Sequence, residues 1–313
     1  MLRYIQMRLL LAIPVLIGVS ILSFSILHLV PGDPALIILN NMGSGAAGAS
    51  SEQAYRNLRE ELGLNDPFLV QYLHYASGAV RGDLGYSYTT SRPVGQTVLE
   101  VLPATLELTV CGLGIAIVIG MALGVAASMY RNTWIDTLTM FFSLIGLSMP
   151  SFWLAFILID VFSFQLGFLP ASGSEGIRPL ILPALTLGLV AAGTVARLVR
   201  STMLEVLQQE YIVTARAKGL QRRDVIVRHA LRNALIPVVT VIGLQFGALV
   251  SGAVITETVF ARRGIGRLAV DAILSRDYPM IQGTILVAAC GYVFINLVID
   301  LSYAWMDPRI KYR

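Results

Sequence analysis

The chain is 313 residues long, 56% hydrophobic and only 13% charged, with a mean hydropathy of +0.72. Those proportions exclude an ordinary soluble globular domain and indicate an integral membrane protein. A net charge of +4 and a pI near 9.2 do not indicate nucleic acid, because the basic residues fall between apolar runs, where orientation in a membrane accounts for them. Cys111 and Cys290 lie inside apolar runs, and His28, His74 and His229 are scattered. Neither a disulfide framework, a metal site nor a bound cofactor is expected from them.

The first apolar run, 9–30, follows Arg3 and Arg8. It is longer than the core of a signal peptide and no A-x-A site directly follows it, so an uncleaved anchor helix is expected over 1–30, with Pro14 bending it. Residues 31–103 form a polar excursion that opens with Pro31-Gly32-Asp33-Pro34 and passes a Gly/Ala/Ser tract at 43–51. An amphipathic helix near 52–62 follows, with Tyr55, Leu58 and Leu62 as its apolar stripe.

Five further apolar runs are expected to span near 104–127, 138–166, 180–200, 236–256 and 281–305, which makes an all-α protein of six transmembrane helices. Met149-Pro150-Ser151 marks a kink or break in the third. Small residues recur four apart at Gly120 and Gly124, at Gly188, Ala192 and Ala196, and at Gly243, Gly247 and Ser251. Such spacing lets helices approach closely in lipid and favours a tight bundle within one subunit. With the N-terminus inside, fourteen of the 23 Lys and Arg residues fall on the cytoplasmic side, eight of them between Arg197 and Arg232. Both termini are therefore expected in the cytoplasm.

Residues 210–239, EYIVTARAKGLQRRDVIVRHALRNALIPVV, form the longest polar interval of the second half. On a helix, Ala215 and Gly219 share one face and leave it nearly flat between Arg216 and Lys218, which suits close approach by another backbone. A second helical pattern follows, with Val227, Ala230, Leu231, Ala234 and Leu235 on one side and arginines around the rest.

This segment resembles the cytoplasmic coupling loop, or EAA loop, of permease subunits of binding-protein-dependent ABC importers. YIVTARAKGL and RHALRNALIPVVT resemble the dipeptide, oligopeptide and nickel branch, as do GLNDPFLVQYLHY, GDLGYSY and ETVFARRGIGRLAVDAILSRDYP elsewhere. Val213-Thr214-Ala215 stands where the generic loop has Glu-Ala-Ala, and Arg232 where it has a proline.

The resemblance implies a type I ABC importer transmembrane fold, with an extracytoplasmic region at 31–103 and a permease domain over 97–305 that contains the coupling loop at 201–235. It also implies work beside a second homologous permease and two ATP-binding subunits, with solute delivered by an extracytoplasmic binding protein, in the bacterial cytoplasmic membrane. The solute would be a di- or oligopeptide, with glutathione, nickel chelates and related metallophores as alternatives within the family. No G-x-x-x-x-G-K-[ST] cradle is present, so ATP is expected to be used by the partner subunits and no enzyme activity by this chain.

The coupling residues implied are Glu210, Thr214, Ala215, Arg216, Ala217, Lys218, Gly219, Arg222 and Arg223, in a short helix over 212–220 seated on an ATPase. Arg216, Lys218, Arg222 and Arg223 supply charge complementarity, and Glu210 suits the positive end of that helix. Polar residues inside spans count as candidates for the solute path, here Asp160, Gln245, Asn296 and Asp300. Glu107 sits near the outer end of the second span as an ordinary solvated or paired group. The outer loop at 257–280, with Phe260, Ile265, Leu268, Ile273 and Leu274, reads as a partly helical interfacial segment or lid. A secondary transporter would show coupled charges deep in the spans or broken inverted repeats, and an intramembrane enzyme would show H-E-x-x-H or G-x-S-x-G; neither pattern is evident. A purely structural scaffold would not need the coupling loop.

Overall fold

A computed structural model describes residues 2–29, 33–41 and 49–306. Pro31, Gly32, residues 43–48 of the small-residue tract and the C-terminal DPRIKYR lie outside the described residues. In chain order the helices are α1 (Leu2–Leu29), α2 (Pro34–Asn41), α3 (Ala49–Glu61), α4 (Phe68–Val80), α5 (Val94–Met129), α6 (Trp134–Ser148), α7 (Ser151–Ile159), α8 (Arg178–Val206), α9 (Glu210–Ala217), α10 (Arg222–Asp224), α11 (Arg232–Val259), α12 (Ile265–Leu274) and α13 (Tyr278–Met306). Wider π-helical turns, Asp160–Gln165 and Val225–Leu231, follow α7 and precede α11. Among the described residues no strand forms beyond an isolated bridge between Tyr86 and Pro93.

Five helical stretches are long and apolar enough to cross a membrane: Gln6–Ser25, Val94–Met129, Arg178–Val206, Arg222–Val259 and Tyr278–Val298. The pair Trp134–Ser148 and Ser151–Gln165 makes a sixth only if counted as one span bent by 105°. The bend falls at Met149 and Pro150, where Pro150 lacks the N–H that would continue the ladder. The second span starts earlier than its apolar run suggests. Val94 and Val98, both fully buried, extend α5 a full ten residues before position 104.

The chain divides into two compact units. One comprises Met1–Pro103 and Gly264–Leu297. Its core joins Val94 and Val98 of α5 to Ile265 and Ala272 of α12 and to Met280 and Ile281 of α13. The Phe24 ring of α1 meets Phe68, Tyr72 and Tyr75 of α4 at centroid distances of 5.2, 5.6 and 5.7 Å. Asp33 ties α2 to α3, accepting bonds from the Tyr55 hydroxyl at 2.6 Å and Arg59 Nη1 at 2.8 Å.

The other unit spans Ala104–Arg263. Its centre is α8, along which Leu182, Val195, Ala196, Val199 and Met203 are almost wholly buried. The small-residue ladder of the sequence packs here, inside one subunit. A side chain at Gly120 would stand 2.6 Å from Val195, one at Gly124 2.6 Å from the Ala196 carbonyl, and one at Gly193 would strike the Ser143 carbonyl. Close backbone approach of this kind is what holds helices together in lipid, where burial from water contributes little.

Candidate coupling site

Val195, Val199 and Met203 recur every four residues, so α8 presents one apolar stripe down to its end at Val206. Three residues then reverse the chain, with Leu207 N–H donating to the Met203 carbonyl at 2.9 Å and Gln209 N–H to Val206 at 3.1 Å. Gln209 is extended, which starts α9, and Glu210 places a carboxylate at the helix's positive end.

On α9, Ile212 is fully buried and Ala215 nearly so, three residues apart on one side. They enter the cluster formed by the α8 stripe together with Val225, Ile226, Ala230, Ala234 and Val238. Burying one isoleucine in this way contributes roughly 1.5–3 kcal/mol. The Asn233 amide donates to the Tyr211 hydroxyl at 2.8 Å, and Arg222 Nη2 to the Met129 carbonyl, at the end of α5, at 3.2 Å. The short helix is thus fastened to α5, α8 and α11.

The flat docking face expected of Ala215 and Gly219 does not form. The helix ends at Ala217, two residues before Gly219, and Ala215 turns into the protein's own core. Gly219 has φ of +78°. Its N–H donates to the Arg216 carbonyl at 3.0 Å and that of Leu220 to Ala215 at 3.4 Å, the paired bonds of a Schellman cap, where glycine meets no side-chain penalty. The outward face consists instead of Glu210, Val213, Thr214 and Ala217, with Val213 59% exposed.

The second helical pattern also shifts. Val227 is exposed, because the π-helical turn from Val225 to Leu231 moves the buried side to Val225, Ile226 and Ala230.

Arg216, Lys218 and Arg223 are exposed and make no ion pair among the described residues. Arg216 and Arg222 border a hollow of about 470 Å3 whose apolar wall includes Leu207, Leu220 and Val225. The assembly offers an outside partner a short rigid helix with a small apolar face and unpaired positive charge.

The path candidates are less coherent. Asp160 is exposed in the π-helical turn and accepts from the Gln165 amide at 2.7 Å. Gln245 and Asn296 are half-buried on α11 and α13, and the side chain of Asp300 lies outside the described residues. No described hydrogen bond joins Asp160 to Gln245.

Several charged contacts carry no sequence signal. Asp136, 4% exposed, receives two bonds from Arg200, at 2.6 and 2.8 Å, and one from the Asn132 N–H at 3.1 Å, which locks α6 to α8. Arg262 is fully buried and pairs with Glu107, and the buried Glu257 accepts from the Thr105 hydroxyl at 2.6 Å. Glu107 stands in an apolar run and Asp136 and Glu257 at the edges of such runs, and each partner is 64 or more positions away. Only the cost of burying a lone charge hints that a partner must exist.

Residues 116–312 match the family described as binding-protein-dependent transport system inner membrane component, and residues 1–109 match the N-terminal region of such membrane components. The chain belongs to this family. A dipeptide transport system permease protein, DppB, of Alkalihalophilus pseudofirmus is 46% identical over the whole of both chains. A glutathione transport system permease protein, GsiC, of Escherichia coli K12 is 44% identical, again over the whole of both. Among solved structures, a chain of the inward-facing MetNI methionine ABC transporter superposes with a TM-score of 0.59 at 20% identity, covering 68% of this chain and 97% of that one. The ABC importer transmembrane fold is therefore shared well beyond recognisable sequence. The family resemblance carried by the 210–239 interval holds along the entire chain, and the protein is an ABC importer permease of the inner membrane.

Proposed function

We propose that this permease imports short peptides, the class that covers the dipeptide and glutathione solutes named for its relatives. In this reading it pairs with a second homologous permease, receives solute from an extracytoplasmic binding protein and is driven by two ATP-binding subunits. It spans the bacterial cytoplasmic membrane six times, the bent pair counted as one span, with both termini inside. Residues 1–30 anchor it, 31–103 lie outside, and 97–305 form the permease domain with its coupling loop at 201–235.

The observation that carries the mechanism is the seating of Ile212 and Ala215 in the α8–α11 cluster. A partner pressing on α9 moves a body already packed onto three long helices, so motion passes into the spans without loss in a flexible joint. Val213, Thr214 and Ala217 are the contact face, and Arg216, Lys218 and Arg223 meet acidic groups on the ATPase. Glu210 caps the helix, Ala215 and Arg222 brace it, and Gly219 ends it. Asp160, Gln245, Asn296 and Asp300 remain the path residues of the proposal.

The test is ATP-dependent uptake of di- and tripeptides by the complete transporter. Val213→Arg is expected to abolish uptake while the protein still inserts and assembles, and normal uptake by that variant rules out α9 as the contact. A transporter that moves chelated nickel and no short peptide overturns the solute class.

A further inference from the structure

Helix α4 carries no Asp, Glu, Lys or Arg, and its sides divide by polarity. Leu69, Leu73, Ala76 and Val80 recur three or four apart and form one apolar stripe. Its large members, Leu69, Leu73 and Val80, are open, at 65, 56 and 89% exposure. On the opposite side Gln71, His74 and Gly78 line a hollow shared with Asp33, Arg59 and Leu64 of the α2–α3 region. Gln71 is fixed there, its amide donating to the Leu64 and Asp66 carbonyls at 3.3 and 2.8 Å. A third side, Phe68, Tyr72 and Tyr75, packs on α1.

The attachment to α1 sets the direction and depth of α4. One ring, Phe24, meets three successive turns of α4, so α4 runs across α1 rather than along it. The hydroxyls of Tyr72 and Ser20 share a hydrogen bond of 3.0 Å. Ser20 and Phe24 stand five residues and one residue before the end of the apolar stretch Gln6–Ser25. At about 1.5 Å per residue, α4 therefore crosses roughly 2–8 Å inside that end, the level at which aromatic rings gather at a membrane boundary. Ile21 and Leu22 of α1, at the same level, are exposed as well. A helix held across a span at this depth, apolar on one side and polar on the other, meets acyl chains with the first and water with the second.

We infer that α4 is an interfacial helix whose Leu69, Leu73 and Val80 side chains sit among the acyl chains of the outer leaflet, a placement that rests on the topology proposed above. The solute-binding protein does not suit this face, because it approaches from the side of α2 and α3, where α4 is polar. Arg81 follows Val80, exposed and outside any ion pair among the described residues, as suits a cation at the phosphate layer. The lipid contact fixes the height at which the α2–α3 region stands over the bilayer.

The experiment uses the whole transporter in phosphatidylcholine nanodiscs, with Cys111 and Cys290 replaced by alanine and one nitroxide attached at Leu69→Cys, Leu73→Cys, Val80→Cys or His74→Cys. All four positions are exposed, where substitution changes stability little. A label that spoils assembly at one stripe position leaves the other two to read the same face. Relaxation by molecular oxygen, which concentrates in hydrocarbon, is compared with relaxation by a water-soluble nickel chelate. Oxygen is expected to dominate at Leu69, Leu73 and Val80, and the order to reverse at His74. Dominance of the chelate along the stripe puts that face in water and overturns the inference. Shielding of the stripe from both reagents means that a protein neighbour covers it, which also overturns the inference. The topology is read separately, by treating spheroplasts with a membrane-impermeant maleimide. Labelling of His74→Cys in intact spheroplasts upholds the outer placement. Labelling only after lysis overturns the topology, whatever the oxygen pattern along the stripe.

Discussion

Around α9 the fold is held by apolar side chains and a glycine cap, whereas the 83–93 loop of the other unit, closed on itself by backbone bonds from Ser87 to Arg92 and from Val94 to Gly85, is tied to the start of α13 by one carboxylate. Asp277, 3% exposed, accepts from the Ser87 hydroxyl at 2.5 Å and from the N–H groups of Tyr88 and Thr89 at 3.1 and 3.3 Å, and reaches the Met280 N–H at the start of α13 at 3.4 Å. An apolar cluster shares its stabilisation among many contacts and loses it gradually. A carboxylate that satisfies several donors at once concentrates it in one residue, since removing the acceptor leaves all of those donors unpaired. A helix that transmits force, as proposed for α9, suits the first arrangement, and a loop that keeps one shape suits the second.

The largest expected effect tests the apolar side. Ile212→Ala should destabilise the seat of α9 by about 2–5 kcal/mol, through lost burial and the hollow left behind. Hydrogen exchange should accelerate across residues 207–221, and peptide uptake should fall while ATP hydrolysis by the complex continues. Val213→Ala, one residue along on the exposed face, should change stability by no more than about 0.5 kcal/mol.

Next comes the carboxylate. Asp277→Ala should cost roughly 1–3 kcal/mol, mainly from the buried Ser87 hydroxyl it leaves unpaired, and proteolysis should reveal it as cleavage within 83–93. Asp277→Asn keeps one acceptor oxygen and should fall between. If Asp277→Ala cuts no faster than wild type, the contrast between the two regions is wrong.

A smaller effect follows from Tyr88, whose phenol is pushed up to about 12 by burial first, then by the nearby Asp277 and Tyr278. In the unfolded chain such a phenol ionises near 10, so the folded state keeps a proton that the unfolded state gives up. The stabilisation is complete below pH 10 and disappears as pH rises towards 12. Cleavage within 83–93 should increase over that interval in wild type and be flatter in Tyr88→Phe.

What was legible in the sequence follows the same division. Five long apolar helices, the break at Met149-Pro150 and the glycine ladder at Gly120 and Gly124 were readable because hydropathy, proline and small-residue spacing act locally. The short helix of the 210–239 interval was readable in place but not in orientation. Ala215 is small whether it faces a partner or its own core, so its packing beside Ile212 is not written in the residue pattern; nor is the π-helical turn after Asp224, which moves the buried side of the following helix to Val225, Ile226 and Ala230. The partners of Asp136, Asp277 and Glu107 were unreadable, since each pair joins residues 64 to 190 positions apart.

The smallest prediction concerns Gly219, where two roles predict opposite orders among the same three substitutions. A side chain there would meet nothing within 4 Å inside the protein, yet the backbone sits at φ of +78°. If the residue serves as a cap, Ala and Arg should each cost about 1–2 kcal/mol from the left-handed conformation alone, and Asn, which adopts it more readily, should cost less. If instead it serves close approach to a partner, size decides, so that Gly219→Ala is nearly silent and both Gly219→Asn and Gly219→Arg abolish peptide uptake. Amide exchange at Lys218 and Leu220, measured beside uptake, reads the two orders separately, and the cap requires exchange and uptake to deteriorate together in the order Asn, then Ala and Arg alike.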